Sequence, residues 1–310
     1  MEFFKSSKQL KNIYDVIGAK NIIWGFSITL CLIAIISLII NGINLSLEFT
    51  GGVQLEVRFQ SPNTINNIIT KLEDMDFKSP KVQNYGSTKD FLIRLNIQNN
   101  DQNQSQQQDN EIAKQVISCL TTSDNIAEIR KVEYIGSEVG EKLLEQGAIA
   151  VLTAIFTTML YIALRFEYRL AISAAATLFH NAIIVLGCFS ITKSEFDLAT
   201  LAAILAVIGY SLNDTIVIFD RIRENFCKYH KETTKEIINI AINQTLSRTI
   251  MTSFLTLLVV VSLLVVGGKS LFGFSLALTI GILIGTYASI GVAGSIALQL
   301  GLSRQDFLKR

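Results

Sequence analysis

The run Gly209-Tyr210-Ser211-Leu212-Asn213-Asp214-Thr215 places a carboxylate inside an apolar stretch that extends from Leu198 to Phe219. An aspartate at membrane depth costs roughly 2.5–3.5 kcal/mol on insertion scales, so it marks a place where a partner or a proton compensates it. The helix from Asp214 to Phe219 rises about 7–8 Å, more than a short side chain can span towards water. Arg248 opens a later apolar run at a similar depth, after Asn243, Gln244, Thr245 and Ser247. A buried Asp–Arg pair holds the carboxyl ionised, and breaking it favours the protonated form. An aspartate that alternately pairs and protonates is the minimum equipment of a proton-driven machine. Two plainer readings stand beside this one. Asp214 can reach the surface, where Asp220 and Arg221 follow, and Arg248 can be a cation that only obeys the positive-inside rule. Asn213 and Thr215 flank the carboxyl as supporting polar groups. His180-Asn181 lies in the middle of another apolar run, where histidine can relay protons or serve as hydrogen-bonding glue between helices.

The elements that must position these groups are membrane spans. The chain is 50% hydrophobic and 17% charged, with mean hydropathy +0.42, too apolar for a soluble domain of this length. Apolar runs at 22–40, 147–165, 171–191, 198–219, 248–267 and 271–300 are each near or above the ~18–20 residues that cross a bilayer as a helix. The formal net charge is only +1, so no bulk field points to nucleic acid, and the position of the cations is the informative part. Lys5, Lys8, Lys11 and Lys20 precede the first run, and Arg165 and Arg169 sit in the 165–169 turn. Arg221, Arg223, Lys228, Lys231 and Lys235 lie in the 220–247 loop, and Arg304, Lys309 and Arg310 follow the last run. The opposite loops hold Lys193 and Lys269. This asymmetry predicts that the tails 1–21 and 301–310 and the 220–247 loop are cytosolic, and that 41–146 is exported. The first run is full-length with no small-x-small site directly after it, which reads as a retained span rather than a cleaved signal. Trp24 is expected at its cytosolic edge as an interfacial anchor. Small residues at Ala199, Ala202, Ala206, Gly209 and Asn213 share one helical face, and Gly281 and Gly285 form a second close-packing pattern; both predict tight helix contacts.

The exported segment reads as a small α+β domain. Val53–Phe59 alternates like a half-buried strand. A helix is expected from Ser61-Pro62 to about Met75, with Pro62 at its first position. A strand pair is expected at 81–85 and 91–97, a second helix at about 110–120 and a strand at 127–135. That order, β-α-β-β-α-β, is the ferredoxin-like split. Residues 98–110 are polar low-complexity sequence expected to form a mobile loop. Residues 137–146 and 235–247 read as amphipathic helices, the second lying at the membrane surface before turning into the fifth span. Of the cysteines, Cys31 and Cys188 fall in spans, Cys227 in the cytosol and Cys119 in the exported domain, so no disulfide pair or metal-ligand spacing is expected. No Gly-x-x-x-x-Gly-Lys-Ser/Thr loop occurs; any work done draws on an ion gradient or a partner, with protons as the coupling ion and no bound cofactor or metal.

GYSLNDTIVIFDRIREN at 209–225 closely resembles the signature of the SecF family. The resemblance extends along nearly the whole chain. LEFTGG at 47–52 is similar to the family's D-F-T-G-G at the start of the exported domain, through Glu48, Gly51 and Gly52. GSEVG at 136–140 is similar to G-P-x-V-G, Arg165-Phe166-Glu167 to R-F-E, Leu178–Asn181 to A-L-x-H-D, and NQTLSRTIMT at 243–252 to N-Q-T-L-x-R-T-I-x-T. The resemblance implies a polytopic half bundle of the resistance-nodulation-division superfamily, with proton flow moving the exported domain. It carries the family's essential aspartate and arginine onto Asp214 and Arg248. It implies SecD as direct partner, with the SecYEG channel, SecA and YajC around it, in the inner membrane, at a late step of protein export and without enzymatic chemistry. Three departures stand out: Glu48 for Asp, Ser137 for Pro, and Asn181 for Asp. Asn181 cannot ionise, which weakens a relay role for His180 and shifts weight to Asp214. Two other readings are kept: a small-molecule/proton antiporter of the same superfamily, for which about a hundred exported residues are few, and a static scaffold for SecD.

Overall fold

The structure, a computed structural model, describes residues 14–75, 77, 80–84, 87–95, 106–121 and 125–308. The cations Lys5, Lys8, Lys11, Lys309 and Arg310, the turn at 85–86, the strand end 96–97 and the 98–105 part of the polar loop lie outside the described residues. The chain forms two compact units, one of Leu45–Gly147 and one of the chain on either side. Helix α1 (Lys20–Asn41) leads to a two-residue strand β1 (Asn44–Leu45) and a single turn α2 (Leu47–Thr50). The small unit continues as β2 (Gly52–Phe59), α3 (Ile65–Glu73), β3 (Lys81–Asn84), β4 (Asp90–Leu95), α4 (Gln106–Leu120) and β5 (Ala127–Ile135). Then follow α5 (Ser137–Arg165), α6 (Tyr168–Thr192), β6 (Glu195–Phe196), α7 (Leu198–Lys228), α8 (Thr234–Val266) and α9 (Lys269–Tyr287). A π-helical turn (Ala288–Ala293), α10 (Gly294–Gln299) and α11 (Gln305–Leu308) complete the chain.

In the small unit the strand order is β3-β4-β2-β5, and all neighbours run antiparallel. With one helix after β2 and one after β4, this is the ferredoxin-like arrangement. The alternation of β2 turns Val53, Leu55, Val57 and Phe59 into one core with Ile68, Leu72, Phe91, Ile93, Val116 and Leu120. Each such side chain contributes about 1.5–3 kcal/mol on full burial. Two expected boundaries move. Pro62 does not open α3: the chain at 61–63 is held by Asn125 Oδ1 on Ser61 N (2.9 Å) and Thr88 O on Asn63 N (3.2 Å), so the helix starts at Ile65. Helix α4 begins at Gln106, inside the expected loop, because glutamines extend a helix readily. Gly51 and Gly52 take φ of 67° and 120°, a region only glycine occupies without strain. A Cβ on Gly51 would lie 2.6 Å from Ser137 Cα, and one on Gly140 would lie 2.9 Å from Gly51 N. The 47–52 and 136–140 motifs thus meet backbone to backbone, and Glu48 lies in the single turn α2 of the first motif.

Among the described residues six helices are long and apolar enough to cross a membrane: α1, α5, α6, α7, α8 and α9 with its continuation to Gln299. Their apolar outer faces, such as Ile36 and Ile39 on α1, Phe156 and Leu164 on α5, and Phe254 and Val265 on α8, are exposed. That pattern suits lipid as solvent and would be an aggregation hazard in water. Helix α6 is the most buried of the six. Glycines set the closest approaches: Cβ atoms at Gly187 and Gly281 would collide with Ala34 and Val207. The segment 235–247 does not lie on a membrane surface and turn. It is the first part of α8, one helix of 33 residues opened by a capping box between Thr233 and Glu236. Its Ile237, Ile238, Ala241 and Ile242 are buried against Ile17, Ile222 and Phe226, and no glycine or proline breaks it. Trp24 lies in the first turns of α1 and is half-buried, and its indole N–H has no partner among the described residues.

Candidate functional site

Helix α7 carries the central carboxyl. Asp197 caps it, accepting from Thr200 N (2.7 Å) and Thr200 Oγ1 (2.6 Å). Steps of three and four then place Ala203, Val207, Ser211, Asp214 and Ile218 on its buried face. Asp214 is 5% exposed. The expected stripe of small residues is a different face: Ala202, Ala206, Gly209 and Asn213 are exposed, and nothing lies within 4 Å of a Cβ built on Gly209. Among the described residues Gly209 therefore packs against no other helix. In lipid both faces of a span are apolar, so small side chains alone do not reveal which one turns inward.

Around Asp214 stand hydroxyls from three helices. Ser253 of α8 donates to Asp214 Oδ2 at 3.5 Å, the far limit of a hydrogen bond. Thr286 of α9 donates to Ser253 Oγ at 2.7 Å, and Tyr210 OH reaches the same oxygen at 3.3 Å. Arg248 is exposed and exerts an electrostatic pull on the carboxyl. Among the described residues no ion pair joins the two. A buried charge is tolerated when paired and fully hydrogen-bonded; here the carboxyl has one long contact and a cation that is near but unpaired. Such a group can exchange a proton for a cation through a small movement of α8.

The other sequence-derived residues separate from this cluster. Thr215 is buried but donates back to Ser211 O (3.0 Å). Asn213 points away, exposed. His180 and Asn181 form a second group: His180 Nδ1 lies 3.1 Å from Asn181 Oδ1, and Asn181 Nδ2 donates to Ser211 Oγ (2.9 Å). His180 Nε2 is buried without a partner beside an apolar cavity of about 280 Å³ lined by Trp24, Ser27 and Val292. No hydrogen bond among the described residues links His180 to Asp214. Gly285 fits beside this group, where a Cβ would lie 3.3 Å from Ser211 Oγ. Sequence reasoning missed Tyr210, Ser253 and Thr286. Their signal was faint, since hydroxyls in spans commonly bond back to their own helix, as Thr286 also does to Ile282 O.

Comparison with known proteins gives a consistent outcome. Residues 115–303 match the family model described as "Protein export membrane protein SecD/SecF, C-terminal", and residues 36–62 match the "SecD/SecF GG Motif". The protein translocase subunit SecF of Pseudomonas aeruginosa is 40% identical over 296 residues, covering 95% of this chain and 94% of that protein. The one from Haemophilus influenzae is 43% identical over 282 residues, covering 91% and 84%. A crystal structure of SecDF from Thermus thermophilus, a translocon-associated membrane protein, superimposes with a TM-score of 0.81 at 31% identity over 94% of this chain. This chain spans 39% of the length of that SecDF chain.

Proposed function

The chain belongs to the SecF family of protein-export membrane proteins, and from that premise we propose that it is the proton-responsive half of a SecDF-type machine. Like its relatives it is a multi-pass translocase subunit of the inner membrane. Together with SecD it uses the proton-motive force to assist late steps of Sec-dependent export. Asp214 takes a proton from an outside-facing water path, its electrostatic hold on Arg248 changes, and α8 shifts against α7. The small unit at 45–147, exported on the cation asymmetry, then changes pose against an emerging polypeptide. The tails and the 220–247 segment, the end of α7 and the start of α8, are cytosolic in this reading.

The observation that carries it is the buried carboxyl of Asp214, which among the described residues has one long hydrogen bond and no ion pair with the nearby Arg248. A static scaffold would hold these two as a fixed pair, and a drug antiporter would need larger exported domains. The exposed small-residue face of α7, at Ala202, Ala206 and Gly209, offers the other six helices of SecD a close approach. That the chain spans only part of a SecDF chain supports SecD as that partner. The SecYEG channel, SecA and YajC complete the assembly on family grounds. No cofactor or catalytic group is invoked. The test is pulse-chase export of a secreted protein in cells whose only copy of this chain carries Asp214→Asn. Export at the level of cells lacking the subunit, with the complex still assembled, is the expected result. Normal export would overturn the reading.

A further inference from the structure

Ahead of α1, the chain at Tyr14–Ile17 is gripped by two asparagines of α8. Asn243 accepts from Tyr14 N (2.9 Å) and donates to Tyr14 O (2.9 Å). Asn239 accepts from Ile17 N (3.0 Å) and donates to Asp15 Oδ1 (2.6 Å). Lys235, one turn earlier on the same helix, pairs with Asp15 Oδ2 at 3.1 Å. Between the polar contacts, Ile17 is fully buried beside Ile238 and Ile242. Both amides use donor and acceptor on the clamped segment, and three of the four bonds they make to it go to main-chain atoms. Such bonds fix the position of the backbone itself.

The clamped segment continues into α1 without a gap. Ala19 N bonds Val16 O (3.1 Å), Lys20 N bonds Ile17 O (3.2 Å), and Ile23 N bonds Ala19 O (3.1 Å). On the other side, α8 runs unbroken through Asn239, Asn243, Arg248 and Ser253. The rise from Asn243 to Arg248 is about 7.5 Å of continuous helix. A helix without proline, glycine or a π-bulge bends only gently, so a displacement at Arg248 and Ser253 reaches the asparagines nearly whole.

We infer that Asn239 and Asn243 are positioning residues that tether the root of α1 to α8, delivering movement of the Asp214 site to the span that leads into the small unit. The inference rests on the role proposed for Asp214. Helix α8 is the lever, the asparagine pair its coupling, and Ile17 the apolar pin that keeps the coupling in register.

The test uses full-length chain in native membrane vesicles with its partner subunit present. Asn239→Ala with Asn243→Ala is expected to lower export several-fold; unchanged export with an assembled complex overturns the tether. A second variant, Tyr14→Cys with Asn243→Cys and the four native cysteines changed to serine, is closed with a short bismaleimide. Export is expected to be low before linking and restored after it. Because the same molecules are compared, the amount of variant does not enter. Failure of linking to restore export would show that the asparagines do something other than tether. Asp214→Asn is run alongside: if it exports normally, the proton reading falls, while restoration by linking still supports the tether.

Discussion

Two aspartates of the membrane unit face opposite circumstances. Asp15 is near water and is richly served: Lys235 pairs with it, Gly18 N donates at 2.7 Å and Asn239 at 2.6 Å. The Lys235 ammonium and the Gly18 amide hold its carboxyl below the usual carboxylate range. Asp214 is buried and served by one hydroxyl at 3.5 Å. A carboxylate whose only task is to hold structure gathers donors, because each lowers its free energy. One left short of donors where charge is expensive is poised to change state. Asp15 is thus served as a fixed carboxylate is, and Asp214 as the proposed proton exchange requires.

Four substitutions would break or sharpen that contrast. Asp214→Asn has the largest expected effect, loss of proton-dependent export with assembly intact, read by pulse-chase. Gly281→Leu comes next. Its side chain collides with Val207, which costs about 1–3 kcal/mol as overpacking and moves α9, with Thr286, away from Ser253; thermal unfolding of the complex and export both fall. Ser253→Ala removes the one hydroxyl on Asp214 and leaves Thr286 only its bond to Ile282 O, a change worth about 0.5–1.5 kcal/mol. Export is expected to drop part-way, between wild type and Asp214→Asn. Equality with wild type would show that the Ser253 contact is incidental. Asp15→Asn is expected to do least, shifting the thermal midpoint slightly and export hardly at all. Its pH signature has a definite sign. A carboxyl held below its unfolded value adds stability above the ordinary carboxylate range and loses it as pH falls through the folded value. Wild type should therefore lose a small increment of stability on acidification that the variant lacks.

Much of this was legible in the chain and some was not. The ferredoxin-like unit follows from period-two alternation, which a sheet with one buried face enforces: β5 appears at the expected 127–135. The spans follow from length and hydropathy, and Asp214 from the contrast between its charge and its surroundings. The continuity of α8 did not, because its polar first part and apolar second part differ in composition while sharing one helical phase. Nor did the orientation of α7: Gly209 looked like a packing residue and faces outward. Ser253 and Thr286 stayed hidden because a hydroxyl in a span carries no charge to betray its partner.

The most direct measurement compares secretion into native membrane vesicles with and without a proton uncoupler, for wild type and for Asp214→Asn. Proton exchange at Asp214 predicts that the uncoupler slows wild type towards the rate of the variant and that the variant itself responds far less. An equal slowing of both by the uncoupler would contradict it, and would place the proton-sensitive step outside this carboxyl.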